Sequence, residues 1–143
     1  MRALDITARE MSVYLGGENT PLRFDHNAMR QAEIYAELAM GGGRSLNYIT
    51  ILTRAQRRTY LGLAALVYGA VVSAQQEDAR RRHAGYSPLP PELFDACVDY
   101  AQLLAVADDV VPMAISALPT AEDGAKNAEG RAQETPGGSS AES

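Results

Sequence analysis

The sequence predicts an α+β fold that is mostly α: an N-terminal β-hairpin, then a compact bundle of four to five helices, then a disordered C-terminal tail. Three observations carry this expectation. Apolar and polar residues alternate over residues 11–15 and 22–25, on either side of a run rich in Gly and Asn. From residue 26 to 118 the apolar spacing becomes helical, in a chain whose 143 residues include 24 Ala, the best helix former. From Pro119 onward no apolar residue is larger than Ala, and such a segment buries too little to offset the entropy of ordering. Residues 1–118 are therefore expected to form one domain, and residues 119–143 an acidic Gly/Ser/Pro tail.

In the hairpin, Met11, Val13 and Leu15 alternate with Glu10, Ser12 and Tyr14, the two-residue period of a half-buried strand. The run from Gly16 to Pro21 reads as the turn, and Leu22 and Phe24 as the inward face of a short second strand. Leu4, Ile6 and Ala8 alternate in the opposite phase, so an earlier strand would have to bulge near Arg9. Asp25 is a good N-cap for a helix with Met29, Ala32, Tyr35 or Ala36, and Ala39 or Met40 at helical spacing, ended by Gly41-Gly42-Gly43. Ser45 is read as the cap of a short helix to about Thr53, and the longest helix as Arg54 to about Arg82. Pro88, Pro90 and Pro91 break the chain and open another helix, with Leu93, Phe94, Cys97, Tyr100, Ala101, Leu104 and Ala105 on its apolar face. A final short helix runs from Asp108 to Leu118, bent or interrupted at Pro112.

Composition argues against an enzyme. One cysteine and two histidines, His26 and His83, leave almost nothing from which to build a metal site or a nucleophile–base pair, and no cofactor is expected. Glu33 and Glu37 read as a solvated helix face, and Cys97, among Phe94, Val98 and Tyr100, as a buried inert thiol. Residues 1–118 carry a net charge of −2 and the tail −3, which does not favour duplex binding by counterion release. The basic residues of the folded part are all Arg, clustered at Arg54, Arg57 and Arg58 and at Arg80, Arg81 and Arg82. These clusters are the basis of an alternative reading, a small helical nucleic-acid-binding regulator. Their separation along one helix argues against a single groove. Residues 59–76 are uncharged, but Thr59, Ser73, Gln75 and Gln76 shorten the apolar stretch to about 13 residues, below the ~20 of a membrane span. The start of the chain lacks the apolar core of a secretory signal, so a cytoplasmic location is expected.

The segment from Val13 to Met29 resembles the opening of the tail assembly chaperones of long-tailed bacteriophages. In that family a hairpin ends in a Leu-Arg/Lys-Phe-Asp-x-Asn-Ala-Leu/Met motif that enters a helix. The matching residues are Leu22, Arg23, Phe24, Asp25, Asn27, Ala28 and Met29. Residues 57–72 and 88–104 are similar to the family's hydrophobic central helix and its following Pro-led helix, so the likeness spans about residues 10–107. The resemblance implies a non-catalytic protein of the host cytoplasm that binds the tape measure protein, keeps it soluble, and helps recruit tail tube subunits. It also implies that many members have a frameshifted longer form.

The central helix is the expected partner surface. Leu61, Leu63, Leu66, Val67, Val71 and Val72 spread over most of its circumference, and Gly62, Ala65, Gly69 and Ala70 would let another backbone approach closely. Leftover apolar surface on such a helix would serve self-association or an amphipathic client helix. The competing reading is that the monomer buries the whole helix itself.

Overall fold

A computed structural model describes residues 8–118. Strands β1 (Arg9–Leu15) and β2 (Glu18–Phe24) form an antiparallel hairpin, followed by α1 (His26–Met40), α2 (Tyr48–Gln56), α3 (Tyr60–Arg81), α4 (Pro91–Cys97) and α5 (Tyr100–Ser116). The expected class, a hairpin followed by four to five helices, is the observed one. The tail from residue 119 and the strand read into residues 4–8 lie wholly or largely outside the described residues.

The hairpin turn is tighter than expected. Only Gly16 and Gly17 form it, at φ 59° and 86°, the positive values that a two-residue turn demands of both positions. Glu18 to Pro21 therefore belong to β2, with Thr20 opposite Val13 and Pro21 opposite Ser12. Proline is tolerated because each strand of a two-stranded sheet is an edge strand. Val13, Leu15, Leu22 and Phe24 share the buried face, while Glu10, Tyr14 and Arg23 lie on the other. A lone hairpin is marginal in water. This one is held because its apolar face lies on α3 and α5.

Three helix boundaries differ from expectation. The second helix starts at Tyr48, where Asn47 and not Ser45 caps it, accepting from the Thr50 amide at 2.9 Å. Arg54 belongs to this helix. The chain then reverses at Arg58, which sits in the left-handed region at φ 62°, and Thr59 caps α3 by accepting from the Gly62 amide at 3.1 Å. The helix expected over residues 91–105 is broken at Val98, and Asp99 and Gln102 form a reciprocal capping box that starts α5. Helix α5 then runs through Pro112 to Ser116, so the anticipated interruption is absent.

The restart at Asp99 re-aims the last helix. Leu103, Val106, Ala107, Val110, Val111 and Ala114 form its buried face, while Tyr100, Ala101, Leu104 and Ala105, expected inward, are exposed. Helix α3 lies at the centre, with α1, α2, α5 and β2 packed around it. From Gly62 to Ser73 each of its residues is buried.

Close backbone approach makes that wrapping possible. A Cβ placed on Gly69 would sit 2.3 Å from the Ala28 carbonyl oxygen, and one on Gly62 would sit 2.4 Å from the Ala55 nitrogen. The glycines do admit neighbouring backbones, but those of α1 and α2 in the same chain. Gly→Ala in an exposed helix interior gains about 1 kcal/mol. Here the sign should reverse, because the obstructing atoms are backbone. Gly69→Ala is expected to lose about 2–3 kcal/mol, as overpacked cores do, measured by chemical denaturation. A stabilised variant would mean that α1 and α3 do not approach this closely.

Candidate functional site

The segment from Leu22 to Met29 fastens the hairpin to two helices. Leu22 and Phe24 insert into the core, and Arg23, between them in sequence, stays at the surface. Its guanidinium donates to Glu10 at 2.5 Å and to Asp25 Oδ2 at 2.8 Å, tying β1, β2 and the entrance of α1 together. Asp25 caps α1 by accepting from the Ala28 amide at 2.9 Å. Its Oδ1 also accepts from the Ser73 hydroxyl of α3 at 2.6 Å. One turn further along α3, Gln76 Oε1 accepts from Asn27 Nδ2 at 2.8 Å. Ala28 is small where Gly69 crosses, and Met29 is half-buried against the core. Each of the seven residues thus has an architectural task at the hairpin–α1–α3 junction.

Asp25 therefore does more than cap a helix. Ser73 is 2% exposed, the sole buried polar residue among the described ones, and Asp25 is its acceptor. Asp25→Ala removes the cap, worth about 1 kcal/mol, and leaves a buried hydroxyl unsatisfied, costing a further ~1–3 kcal/mol. A total loss of about 2–4 kcal/mol is expected in urea melts. Ser73→Ala made in the Asp25→Ala background should add little, giving a coupling above about 1 kcal/mol between the two sites. Additive losses would show that the two side chains act independently.

The expected partner surface on the central helix is not a surface in the monomer. Leu63, Leu66, Val67, Ala70 and Val71 are buried by the chain's own α1, α2, α5 and β2, and Leu61 is half-buried against the same core. The competing reading, burial of the helix within the monomer, agrees with this packing, because the two glycines let α1 and α2 close on α3. Apolar exposure lies instead on the outer helices. Ile34 and Leu38 sit one turn apart on α1, with Leu38 62% exposed, and Ile49 is exposed on α2. Tyr60 and Tyr100 meet edge to face at 6.0 Å, and Leu104 follows Tyr100 by one turn. Tyr100 and Leu104 are legible in the sequence, but the unbroken helix that their spacing suggests puts them on the inward face.

The remaining candidates divide differently. Glu33 is not simply solvated: its carboxylate accepts from the Tyr48 amide at 2.7 Å, joining α1 to the start of α2. Cys97 is exposed, because α4 ends at that residue and turns Phe94 and Val98 inward in its place. The arginines at the end of α3 are engaged locally. Arg80 and Arg81 reach Glu77 at 2.5 and 3.1 Å, and Arg82 pairs with Asp78. The hydrogen bond from Arg80 is the main reason the Glu77 carboxyl is pushed down to about 2. Arg58 pairs with Asp108 at 2.7 Å. These pairings reduce the free positive charge that phosphate binding would need.

An aromatic cluster was missed altogether. Tyr35 of α1, Tyr68 of α3 and Phe94 of α4 pack with ring centroids 5.1 to 6.2 Å apart. Asp95 Oδ1 accepts from Tyr35 at 2.5 Å and from Tyr60 at 3.0 Å. Burial first, and the Asp95 carboxylate second, push the Tyr35 hydroxyl well above its ordinary value, so it stays a donor. The three rings come from segments 26 to 59 residues apart, and periodicity carries no signal for that. Among the described residues no group of His, Cys, Asp and Glu side chains could hold a metal ion, and no helix is long and apolar enough to cross a membrane. No family model, curated protein or solved structure matches the chain.

Proposed function

We propose that the protein is a tail assembly chaperone of a long-tailed bacteriophage, a non-catalytic binder of the tape measure protein in the host cytoplasm that helps recruit tail tube subunits. The observation that carries this reading is the Leu22–Met29 segment. It resembles the family motif residue by residue, and in this chain it forms the passage from hairpin to first helix. Buried Leu22 and Phe24, the Asp25 cap and the Asn27–Gln76 bond give a physical reason for those residue types at those positions. Exposed Ile34, Leu38, Tyr100 and Leu104 supply apolar side chains at helical spacing, of the kind that lies against amphipathic client helices. The client surface is accordingly assigned to the outer helices and not to α3.

Co-expression with the tape measure protein of the same phage tests the reading. The soluble yield of that protein should rise several-fold, and the two should co-purify. Leu38→Glu and Leu104→Glu, both at exposed positions, should leave folding intact by circular dichroism and reduce the yield. Unchanged solubility together with no co-purification would remove the chaperone reading.

A further inference from the structure

The chain between α3 and α5, residues 82–99, crosses the outside of the molecule as a strap. Within it only Phe94 and Val98 are buried, with Tyr86 and Leu89 half-buried. Gly85, Pro88 and Pro90 keep its first part outside regular structure, and α4 has only seven residues, far fewer than an isolated helix needs for stability. What holds it is concentrated at a few points. The Phe94 ring stands edge-on to Tyr35 and Tyr68, at 6.2 and 5.5 Å. Asp95 accepts from Tyr35 and Tyr60, and the Leu89 carbonyl accepts from Tyr68. Three phenols of α1 and α3 thus spend their donors on acceptors carried by the strap. Segments with few buried apolar side chains open at lower free energy than a core helix such as α3.

We propose that the strap is an internal placeholder: it covers an aromatic groove between α1 and α3, and lifts to admit a helical segment of a partner that presents an aromatic residue followed by an acidic one. The strap itself specifies this occupant. Phe94 shows that the groove takes a ring edge-on against the paired rings of Tyr35 and Tyr68, and Asp95 shows that the phenols beside it take a carboxylate. The inference rests on the partner-binding reading above and gives that partner a chemistry.

The test uses the full chain and a labelled synthetic peptide from the strap's own sequence, residues 87–99. In the wild type, native-state hydrogen exchange should show the α4 amides opening at least about 100-fold more often than those of α3. Equal protection in the two helices would overturn the proposal, since the strap would then open only with the whole fold. Asp95→Ala, and separately Phe94→Ala with Asp95→Ala, should speed α4 exchange at least tenfold while α3 stays protected. The peptide should bind the double variant at least tenfold more tightly than the wild type, and a peptide with alanine at positions 94 and 95 should not bind. A folded double variant that ignores the peptide, or variants that lose protection throughout α3, would each defeat the idea. Failure of tape measure solubilisation with success here would discard the chaperone reading and leave the groove. The reverse result would discard the strap alone.

Discussion

Leu66→Glu is expected to unfold the domain. The side chain is 1% exposed at the middle of α3, within the stretch from Gly62 to Ser73 that the neighbouring elements enclose. A carboxyl placed there must either remain protonated or carry water into close-packed aliphatic surroundings. The lost Leu burial adds to that penalty, so a cost above about 4 kcal/mol is expected, most of the stability of a typical small domain. The checking measurement is circular dichroism through a thermal melt, with loss of the cooperative transition as the expected result. A variant that stays folded, but changes oligomeric state or client binding, would return α3 to the surface and contradict the wrapping described above. Leu38→Glu is the contrast: at 62% exposure the same substitution on α1 should change stability by no more than about 0.5 kcal/mol.

Phe24→Ala should cost about 3–5 kcal/mol, the range for truncating a buried aromatic. The ring is buried at the end of β2, facing a narrow crevice lined also by Met29, Tyr48, Ala114 and Ala117. It therefore couples the hairpin to α1, α2 and α5 at once, and its loss leaves a cavity between elements that cannot all move inward. Denaturant melts would measure the cost, and an effect below about 1 kcal/mol would mean that the hairpin is not docked on the helices. Tyr14 lies on the opposite face of the same hairpin and is exposed, so Tyr14→Ala provides an internal control with little expected effect.

Local chemistry was legible wherever one residue decides the outcome. The alternation at Met11, Val13 and Leu15, the Asp25 cap and the glycine stop after Met40 all correspond to observed features. Where two local signals competed, reading along the chain failed. Ser45 and Asn47 are both plausible caps, and Asn47 is the one used. The apolar residues on either side of Asp99 suit one continuous helix, but the Asp99–Gln102 capping box divides it and turns Tyr100 and Leu104 outward. The choice between interface and core on α3 was illegible for a different reason. An all-round apolar helix has no periodicity that distinguishes an interface from a core.

The sequence by itself determined the order and class of the elements, the inward face of the hairpin, the first helix and the poverty of catalytic side chains. Turn, cap and alternation signals act within a few residues, so no tertiary information was needed for them. Tertiary structure alone decided what covers α3, because that depends on Gly62 and Gly69 meeting the backbones of α2 and α1, across gaps in sequence that no local pattern spans. It also decided the tasks of Ser73, Gln76 and Asp95, whose partners Asp25, Asn27 and Tyr35 lie 48, 49 and 60 residues away. A polar side chain announces that it needs a partner. Which partner it finds is settled only when the helices pack.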